Sequence, residues 1–145
     1  TYLNKLVILT DGYIETSNHA CIDSEARLCY DLKQAHIKNF RKNLLNDFPA
    51  GTDPVDFFNS HNYGIVPVDN SLLKNYDVLV VQCDDQSVNK FGTKKYQPTD
   101  FEIMEIFWKD WLQDKGGCKS VELVQKVKSV EKFEQRFRKF LGYRK

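Results

Sequence analysis

The chain has 145 residues, of which 41% are hydrophobic and 13% aromatic, and its formal net charge is +1. This length and composition predict one packed globular domain and exclude a disordered chain. No apolar run reaches the roughly 18 residues that a membrane helix needs, and no signal peptide is visible, so the sequence predicts no membrane segment.

The first predicted element is a short strand over residues 6–9. Its four apolar residues are followed directly by Thr10, Asp11 and Gly12, a pattern typical of a strand buried on both faces of a parallel sheet. The glycine permits a sharp turn, which leaves the Asp11 carboxylate at the carboxyl end of the strand. Because metal ions and ligands bind at that edge of open α/β sheets, Asp11 is a candidate metal ligand. The ordinary alternative is a turn residue that accepts local backbone hydrogen bonds.

A long helix is predicted over residues 23–47, since apolar residues recur there at helical spacing. A proline- and glycine-containing loop follows, then a proline-broken edge strand at residues 65–68. Residues 78–82 form the second strongly apolar run and predict a second buried strand. After a polar loop, Thr99 and Glu102 have the spacing of a capping box at the start of another helix. Trp108 and Trp111 share the helical register of Met104, which favours core packing over a ligand platform.

The last predicted helix covers residues 120–141, within a basic amphipathic C-terminal segment, residues 119–145. That segment holds nine Lys or Arg against three Glu, whereas the remainder holds 12 basic and 17 acidic residues. The first interpretation is the solvated face of an amphipathic helix, and the alternative is a surface that attracts nucleic acid.

The order of elements predicts an α/β fold, with a three-layer, mostly parallel sheet flanked by helices, as in Rossmann-like proteins. Two or three strands make a narrow sheet for so much helix, and the chain begins inside the first strand without a methionine. We therefore expect residues 1–145 to be a single α/β domain or the C-terminal part of one.

The string Leu9-Thr10-Asp11-Gly12 at the end of a buried strand resembles the von Willebrand factor A (vWA) family. In that family, a Thr-Asp-Gly after an apolar strand supplies the last acidic residue of a metal-ion-dependent adhesion site. The later strand at residues 77–81, with its loop and aromatic helix, is similar to the back half of the same fold. The family's first metal motif, Asp-x-Ser-x-Ser, is absent before Leu6. The resemblance therefore implies the C-terminal portion of a vWA-like domain, or one with a degenerate metal site.

The resemblance implies a non-catalytic protein-recognition domain in which Asp11 is the retained ligand of a Mg²⁺ ion. A carboxylate of the protein partner would complete the coordination of that ion. The alternative from the residues themselves is a divalent-metal-dependent phosphohydrolase or nuclease that uses Asp11, Asp84 and Asp85, which would share one sheet edge if the two strands were adjacent. A third possibility is a structural module whose sheet edge binds nothing.

The four cysteines are Cys21, Cys29, Cys83 and Cys118. They show no CxxC pairing, so no zinc site is predicted, and their even number permits disulfides without indicating them. The pattern favours a reducing compartment such as the cytoplasm. The histidines at positions 19, 36 and 61 share no spacing typical of a metal site or proton relay, and His36 is predicted to border the apolar stripe of the long helix.

Overall fold

A computed structural model describes residues 4–16, 21–47, 51–67, 71–127 and 129–143. These ranges contain five strands and four α-helices, with a 3₁₀ turn at Ser71–Leu73 and a π-helical turn at Asp110–Asp114. In chain order the elements are β1 (Lys5–Leu9), β2 (Leu28–Cys29), α1 (Gln34–Asp47), α2 (Pro54–Ser60), β3 (Gly64–Ile65), β4 (Asp77–Cys83), α3 (Asp100–Lys109), β5 (Ser120–Gln125) and α4 (Val130–Leu141).

The main sheet has three parallel strands, with β4 between β1 and β5. Lys5 lies opposite Asp77 on one side of β4, and Ser120 lies opposite the same residue on the other side. The two-residue strands β2 and β3 form a separate small parallel pair. Mixed α/β architecture around a parallel sheet is therefore confirmed.

The two faces of the sheet are covered unequally. Val78 and Val80 of β4 point into the main core, where they join buried residues of α1, α2 and α3, including Phe40, Phe58 and Phe107. Leu79 and Val81 point to the opposite face. There they join Val124 of β5 and three half-buried phenylalanines of α4, which are Phe133, Phe137 and Phe140.

The first strand is less buried than its apolar sequence predicts. Leu6, Val7 and Ile8 are only half-buried, and Leu9 is 73% exposed. The reason is the position of β1, which pairs with β4 on one side and is the edge strand of the sheet among the described residues. The fully buried strand is β4, where four consecutive residues are at most 1% exposed.

Two predicted helices are shorter than expected. The helix predicted from residue 23 begins at Gln34, because residues 21–33 form a cross-linked loop in which Ala26 has a left-handed backbone with φ of 54°. The helix predicted over residues 120–141 begins at Val130, because residues 120–125 are strand β5. In that strand Val121 and Leu123 alternate with exposed residues, a period of two that favours a strand at the open side of β4.

The capping box at the start of α3 is confirmed. The Thr99 hydroxyl accepts a hydrogen bond from the backbone N–H of Glu102, and the Glu102 carboxylate accepts one from the N–H of Thr99. Trp108 and Met104 are buried in the core, as their register predicts, and Trp111 packs against it. Across the ranges that the structure describes, none of the helices combines the length and apolar character that a bilayer span demands.

Candidate functional site

Asp11 lies where the sequence predicts it, in the turn that follows β1. Its carboxylate is exposed, and one oxygen accepts hydrogen bonds from the Tyr13 N–H at 3.1 Å and the Thr10 hydroxyl at 3.4 Å. The Thr10 hydroxyl oxygen also accepts a hydrogen bond from the Gly12 N–H at 3.2 Å. These bonds hold the carboxylate at the carboxyl end of the sheet.

Gly12 fixes the course of this turn. Its φ of 97° is a left-handed conformation that disfavours side chains, and its carbonyl accepts a hydrogen bond from the Trp108 indole at 2.9 Å. A Cβ at this position would lie 2.5 Å from the Met104 sulfur and 3.3 Å from the Cys83 Cβ. The backbone of the Asp11 turn is therefore packed directly against α3 and the end of β4.

The loop after β4 reaches the same sheet edge. The Asp84 N–H donates to the Asp11 carbonyl at 2.7 Å, which joins the two loops. The Asp85 carboxylate accepts hydrogen bonds from the Ser87 N–H and hydroxyl and, on its other oxygen, from the Gln125 amide at 3.3 Å. Asp85 therefore shapes its own loop and ties it to β5.

A β-bulge sets the direction of this loop. Gln82 has a φ of 71°, and the pairing of β4 with β5 shifts between Val81 and Cys83. Strict alternation would place Cys83 on the α4 face beside Val81, but Cys83 lies in the main core. The bulge therefore turns the end of β4 and redirects the aspartates that follow.

Negative charge accumulates around Tyr13 at this edge. Burial is the main cause that raises the pKa of Tyr13 above its ordinary value, followed by the charges of Asp100, Asp84, Asp11 and Asp85. The Tyr13 hydroxyl is buried and has no hydrogen-bond partner among the described residues. The four carboxylates thus act together on one buried hydroxyl.

The three predicted aspartates do not converge as a ligand set. In the part of the chain that the structure describes, Asp11, Asp84 and Asp85 do not place oxygens all within 4.8 Å of one another. The trio of potential ligands that does meet this distance is Cys21, Cys29 and His36. Sequence spacing gave no indication of this group.

Cys21 and Cys29 form a disulfide bond across an isolated antiparallel bridge, whereas Cys83 and Cys118 are buried free thiols. The two bonded cysteines differ in burial, since Cys29 is 2% exposed and Cys21 is half-buried. Burial raises the pKa of Cys83 to about 11 and also raises the pKa of Cys118. Among the four cysteines, Cys21 is therefore the one that is not buried.

His36 lies against this disulfide with a buried carboxylate behind it. The Cys21 Sγ is 3.8 Å from the His36 Nε2, and the His36 Nδ1 is 3.4 Å from a carboxylate oxygen of Asp31. Asp31 is 1% exposed, and its other oxygen pairs with the Lys33 ammonium at 2.9 Å. Burial lowers the pKa of His36 despite the opposing effect of Asp31, so the ring is neutral at pH 7. His19 lies outside the described residues.

Asp23 organises the loop that the disulfide closes. Its carboxylate accepts hydrogen bonds from the backbone N–H groups of Glu25, Arg27 and Leu28 at 2.9, 3.0 and 2.7 Å. Burial alone would raise the pKa of Asp23, but these three donors outweigh it and lower the pKa below its ordinary value. The ionised carboxylate is therefore the form that the folded loop stabilises.

Replacing Asp23 with alanine is expected to lower the free energy of unfolding at pH 7 by about 1–2 kcal/mol, as for other side chains that satisfy several backbone donors. Because the folded-state pKa is lowered, this contribution is fully present above the ordinary pKa of about 4 and disappears as the pH falls through the folded value. Urea unfolding of both proteins at pH 7 and pH 2.5 measures it. If the free energies of unfolding of wild type and Asp23→Ala differ by the same amount at pH 7 and at pH 2.5, the role of the ionised Asp23 carboxylate is contradicted.

A buried ion pair joins helices α1 and α3 near the loop that follows β4. Arg41 and Asp100 form a salt bridge, and they are 6% and 3% exposed. The Arg41 guanidinium also donates to the Pro98 carbonyl at 2.7 Å, and the Asp100 N–H donates to the Ser87 hydroxyl at 2.9 Å. Through Ser87 this network reaches Asp85 and so connects α1 and α3 with the loop after β4.

An open groove of about 750 Å³ lies beside this network. Leu44, Val55, Phe58 and Ile106 contribute apolar walls, and the rim is charged, with Glu102, Glu105, Lys109, Asp110 and Asp114. Val55 is 48% exposed and Leu45, which also lines the groove, is 62% exposed. The groove is a second concave surface with the size and apolar character of small-ligand sites.

Comparison with known proteins gives no relative, because no family model, curated protein or solved structure matches the chain.

Proposed function

We propose that this chain is a non-catalytic protein-recognition domain, similar to vWA domains, that binds its partner at the carboxyl end of the sheet. The observation that carries the proposal is the exposed Asp11 carboxylate at the end of β1, oriented by Thr10 and Tyr13. Its position beside the parallel neighbour β4 is the position expected for ligand binding in α/β sheets. Helices on both faces of the sheet agree with a three-layer arrangement.

The proposal includes a divalent cation, Mg²⁺, held partly by Asp11. Mg²⁺ prefers six oxygen ligands and usually keeps several waters, so Asp11 alone would not hold the ion, and waters and a carboxylate of the partner would supply the other ligands. The charges of Asp11, Asp84 and Asp85 favour a cation at this edge, whereas the charge of Asp100 is balanced by Arg41.

Mg²⁺ is expected to raise the melting temperature of the wild-type chain at millimolar concentration, and Asp11→Asn is expected to remove that rise. The reason is that an ion that binds only the folded state stabilises it by mass action. Thermal melts at 0–20 mM Mg²⁺ measure the effect. Asp56→Asn is the matched control, because Asp56 is an exposed aspartate on α2. Equal responses of wild type and Asp11→Asn, or none in either, would contradict a cation at Asp11.

Recognition itself is tested by partner capture. The immobilised chain should retain a protein from a cell extract in Mg²⁺ and release it with a chelator, and Asp11→Asn should retain none of it. Retention that is insensitive to both the chelator and the substitution would place the binding surface elsewhere.

One observation supports the phosphohydrolase alternative. The charges of Asp11, Asp84 and Asp85 all raise the pKa of Tyr13, so the three carboxylates lie in the same region of the sheet edge. The alternative requires their oxygens to meet around a metal, and the described geometry does not bring all three within 4.8 Å. Metal-dependent hydrolysis of a phosphodiester such as bis(p-nitrophenyl) phosphate, abolished by Asp84→Asn, would favour the enzyme over the recognition domain.

A further inference from the structure

The Cys21–Cys29 disulfide has three features that a purely structural cross-link does not need. One sulfur belongs to a half-buried residue while the other belongs to a residue only 2% exposed. A histidine nitrogen lies 3.8 Å from the Cys21 sulfur, and the two sulfurs and a ring nitrogen of His36 all lie within 4.8 Å of one another. A buried carboxylate, Asp31, faces the far side of the histidine ring.

The hydrogen bonds around His36 determine which ring nitrogen carries the hydrogen. The Lys33 backbone N–H donates to the Nδ1 at 3.1 Å, so the neutral ring holds its hydrogen on the Nε2. The Nε2 is the nitrogen that faces the Cys21 sulfur. A thiolate on Cys21 would therefore accept a hydrogen bond from the Nε2–H, and the Lys33 backbone N–H maintains the orientation of the ring through the Nδ1.

We infer that Cys21 and Cys29 are a redox-active pair that exchanges disulfides with dithiol-containing peptides or proteins, with Cys21 as the exchanging sulfur and His36 as its positioning partner. The exposed Ile22, next to Cys21, offers an apolar contact for such a substrate. Cys83 and Cys118 take no part, because both are buried.

Reduction by a substrate dithiol proceeds in two exchanges. A substrate thiolate attacks the Cys21 Sγ, the bond to Cys29 breaks, and its electron pair leaves on the Cys29 sulfur, which takes up a proton. The second substrate thiol then attacks the substrate sulfur of the mixed disulfide and expels Cys21 as a thiolate, which the His36 Nε2–H stabilises. The substrate loses two electrons and two protons and becomes a disulfide. The chain gains the two electrons and one of the protons, so that Cys29 is a thiol and Cys21 a thiolate, and the other proton is released to water. The reverse sequence oxidises the chain.

The trapping experiment identifies the exchanging sulfur. The Cys29→Ser variant, incubated with a peptide disulfide, should accumulate a mixed disulfide on Cys21 that mass spectrometry detects, because no second thiol can resolve it. The Cys21→Ser variant should accumulate at least tenfold less. Equal trapping on the two variants, or none on either while both remain folded by circular dichroism, would overturn the assignment.

The role of His36 is tested by the pH profile of alkylation. In the reduced protein, with a chelator present, Cys21 should react with iodoacetamide with an apparent pKa below the ordinary value of about 8.5. His36→Gln should raise that pKa by about 1, and shift the dithiol–disulfide equilibrium several-fold toward the disulfide at pH 9. His61→Gln is the matched control, because the His61 ring stacks on Phe57 and is not part of the group formed by Cys21, Cys29 and His36. If the pH profile of alkylation is the same in wild type and His36→Gln, the proposed role of His36 is wrong and the disulfide is a structural cross-link.

Discussion

The free energy of unfolding is expected to fall by about 3–5 kcal/mol when Asp100 is replaced with alanine. The substitution leaves the Arg41 guanidinium buried without its carboxylate partner, and an uncompensated buried charge is among the most destabilising changes in a protein. Urea unfolding followed by circular dichroism measures the loss.

Two further variants identify the cause of that loss. Arg41→Met combined with Asp100→Leu removes both charges and is expected to recover most of the stability, since apolar pairs can replace buried ion pairs at little cost. Glu105→Ala breaks the exposed pair with Lys109 and is expected to cost less than about 1 kcal/mol. A loss for Asp100→Ala no larger than that for Glu105→Ala would show that the buried charge is not the cause.

Gly12→Ala is expected to destabilise the chain by about 2–5 kcal/mol. About 1–2 kcal/mol comes from the left-handed backbone and about 1–3 kcal/mol from the added methyl group, which meets the Met104 sulfur and Cys83 in a filled core. Because the same turn carries Asp11, we also expect the response of the melting temperature to Mg²⁺ to disappear.

Gly92→Ala separates the two contributions to the Gly12→Ala effect. Gly92 also has a left-handed backbone, with φ of 82°, but a Cβ there would meet no atom within 4 Å. Its substitution should therefore cost only the backbone strain of about 1–2 kcal/mol. If the two variants unfold at the same urea concentration, the packing of the Asp11 turn against α3 contributes nothing.

Local signals predicted much of the fold. The apolar runs of β1 and β4, the Thr99 capping box and the register of Trp108 are all properties of a few neighbouring residues, and each lies where the sequence places it. The sequence wrongly predicts helix at strand β5, because Leu123, Val127 and Val130 recur at helical spacing. The open side of β4, a tertiary feature, determines that residues 120–125 are extended.

The candidate site was predictable only in part, for the same reason. Asp11 follows from a four-residue pattern, but the burial of Arg41 and Asp100 depends on contacts between residues 59 positions apart. The association of His36 with Cys21 arises because the chain from Cys21 to Asp31 folds back as a cross-linked loop instead of continuing as helix. A left-handed residue at position 82 likewise changes the face on which Cys83 lies, and no periodicity contains that information.

Helix α4 is attached to the sheet less strongly than the helices on the opposite face. None of its residues is buried, and its attachment to the sheet depends chiefly on three half-buried phenylalanine rings. The helices on the other face contribute many fully buried side chains to a continuous core. Release of α4 is therefore expected to require less free energy than opening of the main core, and it would uncover Leu79, Val81 and Val124 while the main core stays folded. In this opened form the chain would present a new apolar surface, so we expect any self-association on mild heating to begin at the α4 face.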